Sequence, residues 1–246
     1  MIDDLAALRL QLEWGADEAL GDRPVDRFTP KAASRPASPT TTVAAMVAGA
    51  APRPAPQAQT LDALHAELDA FTACPLRATA TNTVRPDGAA DAAVVVIADA
   101  PGSDDDRSGR AFSGEPGKLF DRVFGSIGLD RRTVLLTSLV PWRPPGNRPA
   151  SESEVQACLP FVRRLLGIVR PRRLVLLGAG PVAALSRQTG TIRQLRGRWI
   201  DVEISDEQLI IPSIPMLPLA QWLRDGVSKQ QVWSDLMFLQ SAVTTT

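Results

Sequence analysis

Between Val155 and Ile200 the chain has no acidic residue and no lysine, yet it carries nine arginines, at 163, 164, 170, 172, 173, 187, 193, 196 and 198. A one-sign stretch of this kind makes a positive field that attracts polyanions, although the formal net charge of the whole chain is zero. Cysteine is scarce: Cys74 and Cys158 are the only two. Two distant thiols exclude a disulfide framework and fit a reducing compartment. Two thiolates alone complete neither a tetrahedral zinc site nor an iron–sulfur site. Histidine is scarcer still, with His65 alone, read as a helix-surface group. No apolar run approaches the roughly 18 residues needed to span a bilayer. The opening Met1-Ile2-Asp3-Asp4 lacks the basic n-region and apolar stretch of a signal peptide. The expectation is a cytoplasmic monomer with no membrane partner.

What is present is an ordinary globular composition: 246 residues, 44% apolar and 22% charged, enough for one good-sized core and an appendage. Residues 1–27 lean acidic and space Leu5, Leu8, Leu12 and Trp14 as an amphipathic helix. Residues 28–59 are rich in Pro, Ala, Ser and Thr and read as a disordered linker. The compact domain, 60–246, begins where Thr60 caps a helix carrying Leu61, Leu64 and Leu68. Apolar strands at 93–98, 133–137 and 174–177 then alternate with helical patterns at 117–127 and 152–169, the latter opened by a capping box at Ser151. Residues 199–204 and 209–212 read as a β-ribbon or a further strand, and 228–243 as a closing amphipathic helix. The alternation predicts an α/β fold: three layers, α/β/α, around a mostly parallel central sheet.

Two loops follow the first two strands. One is Ala98-Asp99-Ala100-Pro101-Gly102, succeeded by Gly109-Arg110-Ala111-Phe112-Ser113-Gly114; the other runs from Ser138 to Arg148. Open α/β sheets bind ligands at the carboxyl edge of the strands, where Asp99 places a carboxylate. The second loop is stiffened by prolines and carries arginine and asparagine, suited to phosphate contact. Together they point to a nucleic-acid pocket. Gly178-Ala179-Gly180 lacks the third glycine of a dinucleotide turn and is followed by Pro181, so helix–strand packing is the expected role. Asp104-Asp105-Asp106 offers hard oxygens for Mg²⁺, but adjacent acids in a loop rarely converge on one ion, and a solvated turn is expected.

These motifs, in this order, resemble the iron–sulfur type (family four) of uracil-DNA glycosylase over most of residues 60–243. The family's cysteine-bearing helix is matched by Phe71-Thr72-Ala73-Cys74-Pro75-Leu76-Arg77 and its Gly-Glu-Ala-Pro-Gly motif by residues 98–102. Its Arg-Pro-Pro-x-Asn-Arg motif stands unaltered at 143–148, and its Leu-Arg-Gly-Arg-Trp segment at 195–199. The resemblance implies an enzyme of base-excision repair that swings a nucleotide out of the DNA stack and hydrolyses its N-glycosidic bond. It assigns water positioning to Asp99, base binding to Ala98, Phe112 and Ser138, and DNA-backbone contact to Gly114, Arg143, Asn147, Arg148 and Arg196.

The same alignment is degenerate at the site. Asp99 stands where the family has Glu, one methylene longer. Ser138 replaces an Asn whose amide would read the base edge. Pro218, in Pro218-Leu219-Ala220-Gln221-Trp222-Leu223-Arg224, occupies the place of the motif histidine that stabilises the leaving oxyanion. Of four cluster thiolates only Cys74 and Cys158 remain, with Phe71 and Trp142 in the other two places, so no cluster is expected. The reading is a DNA-binding protein with weak or lost uracil excision. Its alternatives are an active glycosylase of altered deaminated-base specificity and a non-catalytic scaffold docking a protein partner through residues 1–27.

Overall fold

Strand residues of this chain alternate between two separate apolar clusters, and that alternation builds the architecture. In the computed structural model, which describes residues 56–222 and 224–244, the chain order is helix α1 (Leu61–Ala70), strands β1 (Asp87–Gly88) and β2 (Val94–Ala98), helices α2 (Ser103–Ser108) and α3 (Gly114–Gly125), and strand β3 (Val134–Ser138). Helix α4 (Glu152–Val169), strand β4 (Arg173–Leu177), helices α5 (Ala179–Leu185) and α6 (Ile192–Leu195), strands β5 (Ile200–Ile204) and β6 (Leu209–Met216), and helix α7 (Gly226–Thr244) complete it. The amphipathic helix expected over 1–27 and all but the last four residues of the linker expected over 28–59 lie outside the described residues; within those four, Ala58 is buried in the core and its carbonyl accepts from Arg164 Nε at 2.6 Å.

The sheet order is β1-β3-β2-β4-β6-β5. β3, β2, β4 and β6 run parallel, while β1 and β5 close the two edges antiparallel. Val95, Ile97, Leu135, Leu174 and Leu176 face one cluster, shared with Leu64 of α1, Leu159, Val162 and Leu166 of α4, and Val182 and Leu185 of α5. Val94, Val96, Leu136, Val175, Leu177, Ile214 and Met216 face the other, with Phe120 and Phe124 of α3, Trp222, and Val232, Leu236 and Leu239 of α7. Helices therefore cover both faces, giving the three-layer α/β/α arrangement. Burial on both faces explains why the central strands are continuous apolar runs.

β6 is longer than the 209–212 segment suggested. Pro212 and Pro215 mask its inner half as a strand pattern, yet that half pairs in parallel with β4, Leu174 to Ser213 through Leu177 to Met216. α3 starts at Gly114, three residues before the 117 start that the helical pattern suggested. No helix among the described residues is long and apolar enough to cross a membrane.

Candidate functional site

β2 connects to β3 on one side of itself and is flanked by β4 on the other. This reversal places a crevice at the carboxyl ends of the parallel strands. A cleft of about 420 Å³ opens there, walled by Ala98, Asp99 and Ala100 after β2, Leu177 at the end of β4, and Pro218, Leu219 and Ala220 after β6. Phe112 and Ser113 from the α2–α3 connection, Asn147 from the proline-rich loop and the start of α2 also line it. Segments distant in sequence thus meet at one site.

Asp99 is held by a bond that nothing in its own loop predicts. Its Oδ1 accepts the backbone N–H of Gly180 at 2.9 Å. A Cβ at either Gly178 or Gly180 would collide with the Asp99 carboxylate. The two glycines after β4 therefore make room for the carboxylate, which is a more specific role than the helix–strand packing expected of them. Burial raises the Asp99 pKa above the ordinary aspartate value, and the Gly180 N–H partly opposes that rise.

Phe112 has a left-handed backbone at φ 55°, a conformation a bulky residue adopts only under constraint. The constraint is visible: Arg131 Nη2 donates to the Phe112 carbonyl at 2.6 Å, and a side chain at Gly117 would strike that same oxygen. The ring packs edge-on against Phe120 at 5.0 Å while lining the cleft. Gly114, also at positive φ, lies against the Asp104 side chain, leaving no space for a Cβ.

The three consecutive acids diverge and do not form a solvated turn. Asp104 lines the cleft and accepts from Arg107 at 3.3 Å. Asp105 accepts the backbone N–H groups of Gly102 and Ser113 at 2.9 and 2.6 Å, tying the two pocket loops together. Asp106 is buried and accepts from Thr81 N, Thr81 Oγ1 and Asn82 N. Among the described residues no group of three or more His, Cys, Asp or Glu side chains is arranged to hold a metal ion.

Ser138, expected to bind the base, ends β3. Its hydroxyl donates to Val140 O at 2.7 Å, closing its own turn, and it is absent from the cleft wall. The amide that does reach the wall is Asn147, whose Oδ1 accepts from Arg143 Nε at 2.7 Å. Arg148 is engaged elsewhere: its guanidinium meets both oxygens of Glu154 at 2.8 and 2.6 Å. Arg196 turns inward to buried Asp235, with bonds of 2.9 and 2.7 Å. Burial pushes Asp235 up to about 6, against the pull of Arg196. His65 lies on α1, half-buried, with its Nε2 enclosed. Burial and nearby Arg85 lower its pKa. It does not line the cleft.

The acid-free stretch is also less positive in space than in sequence. Arg163, Arg164, Arg187 and Arg196 pair with Asp206, Glu207, Glu203 and Asp235, all beyond residue 200.

With this geometry established, comparison with known proteins is specific. The sequence pattern of the uracil DNA glycosylase superfamily matches residues 85–237. The chain is similar to the type-4 uracil-DNA glycosylase of Pyrobaculum aerophilum, at 35% identity over 130 residues, covering 53% of this chain and 66% of that protein. It is similar to the enzyme of the same name from Sulfurisphaera tokodaii, at 31% over 156 residues, 61% of this chain and 71% of that one. It is likewise similar to that of Archaeoglobus fulgidus, at 34% over 149 residues, 59% of this chain and 75% of that one.

Proposed function

The chain belongs to the uracil DNA glycosylase superfamily, and from that premise we propose that it binds DNA, accepts an extruded base in the cleft after β2, β4 and β6, and hydrolyses the N-glycosidic bond weakly or not at all. In the reaction the base departs with the bonding electron pair while water adds to the sugar carbon. Positive charge grows on the sugar and negative charge on the base oxygen. A site for this chemistry needs a carboxylate near the first charge and a donor near the second.

The observation that carries the reading is the contrast within one cleft. Asp99 and Phe112 supply a carboxylate and an aromatic face. The segment after β6 supplies Pro218, Leu219 and Ala220, none of which has a side-chain donor. Losing one oxyanion donor typically costs on the order of 10²–10³ in rate. The turned-in hydroxyl of Ser138 removes base reading from the strand end as well. The test is incubation of the full chain with oligonucleotides carrying uracil, hypoxanthine and other deaminated bases, scored for abasic sites and for binding. Binding with few or no abasic sites is the expected result. Rapid, complete excision of uracil overturns the reading.

One observation favours an active glycosylase of altered base preference. Asn147 presents an amide on the cleft wall with its oxygen already engaged by Arg143, leaving its NH₂ group to face a base carbonyl. Efficient release of a deaminated base other than uracil, abolished in Asp99→Ala, is the outcome that selects it.

A further inference from the structure

Phe71, Trp142, Cys74 and Cys158 come from three separate stretches of chain: the end of α1 and the turn after it, the residues following β3, and the middle of α4. All four belong to one apolar cluster with Leu68, Leu76 and Val140. The Phe71 and Trp142 rings stack with centroids 6.3 Å apart and planes 13° from parallel. Phe161 of α4 meets Phe71 edge-on at 4.9 Å. Trp142 is 1% exposed, and its indole N–H donates to Thr83 Oγ1 at 3.1 Å. Both thiols are buried in this same cluster.

An iron–sulfur cluster, implied by the resemblance to the family-four enzymes, does not fit these residues. A cluster takes four thiolates held apart around its metal–sulfide core. Here only two thiols are present, and the Phe71, Trp142 and Phe161 rings pack together in the same cluster. The acid in range, Glu154, is committed to Arg148 and to the N–H of Ser151.

We infer that this chain has replaced a metal cluster with a metal-free aromatic closure, in which Trp142 and Phe71 fill the cluster volume and fasten the Arg143–Arg148 loop to α1 and α4. Trp142 immediately precedes that loop and anchors its first end in the closure. The Arg148–Glu154 pair anchors its last end on α4. Dispersion and apolar burial do what metal–thiolate bonds would otherwise do, and the loop keeps its attachment without iron.

The test uses the full chain. After anaerobic treatment with ferrous iron and sulfide, followed by desalting, the protein should hold no iron above the buffer blank and show no brown charge-transfer band. Its melting temperature should be the same with and without chelator. Stoichiometric iron and sulfide, or a melting temperature lowered by chelation, would overturn the inference. A second measurement separates the rings from the thiols. Trp142→Ala should lower the melting temperature on the order of 10 °C, the scale of a deleted buried aromatic in a domain this size. The double variant Cys74→Ala, Cys158→Ala should lose clearly less. The reverse ranking would show that the thiols carry the closure and would refute the assignment.

Discussion

Pro218 meets the cleft with a ring that has neither a side-chain donor nor a backbone N–H. Returning an imidazole there should return part of the missing stabilisation. Pro218→His is expected to raise uracil release about tenfold, short of a full oxyanion donor because its supporting contacts are absent. Single-turnover assays of both proteins measure this. Asp99 acts at the other end of the bond. Asp99→Ala should reduce any residual turnover on the order of 10²-fold. Because burial raises the Asp99 pKa and the ionised form is the one that offsets a sugar cation, turnover should fall as pH drops. The acid limb should lie above that of an ordinary aspartate, which a pH–rate profile reads directly. A limb at or below the ordinary value would place the catalytic charge on another group.

At the scale of elements, α4 shows how a sequence signal and a tertiary contact combine. The capping box at Ser151 was legible, and the structure has both of its bonds. The partner of Glu154 was not, because Arg148 reads as a phosphate ligand until the loop is folded back onto the helix. The Arg148 bonds, helped by Ser151, hold Glu154 down at about 2. Its folded value lies below its unfolded one, so the pair contributes stability that is complete above about pH 4.5 and lost as pH falls toward 2. Glu154→Gln should therefore destabilise the protein at pH 7 and converge with the parent near pH 2, as followed by denaturant unfolding. A constant difference across that range would contradict the ion pair.

The same limit governs the other elements. The strands were readable because both their faces are buried, making continuous apolar runs. The inner half of β6 was hidden by two prolines. The room that Gly178 and Gly180 leave for Asp99, and the hydrogen bonds of Asp106 to Thr81 and Asn82, depend on residues dozens of positions away. No local pattern announces contacts of that kind.

For the whole molecule, charge shows the gap between chain and fold most clearly. Nine arginines without an acid among them suggest a long positive stripe, but four of those guanidinium groups pair with acids from the last third of the chain, and Arg173 lies over the Trp199 ring at 5.5 Å. DNA affinity should then depend on salt only moderately, with a log–log slope of about −3, corresponding to about three neutralised phosphates. A fluorescence titration across salt concentrations measures the slope, and a value near zero would mean that DNA is not held through its backbone.

The most direct measurement takes a uracil-containing oligonucleotide with protein in excess and follows complex formation and abasic sites in the same reaction, beside the Archaeoglobus fulgidus relative. The account predicts bound DNA with abasic sites appearing about 10²-fold or more slowly than for that relative. Bound DNA converted at the relative's rate would contradict it.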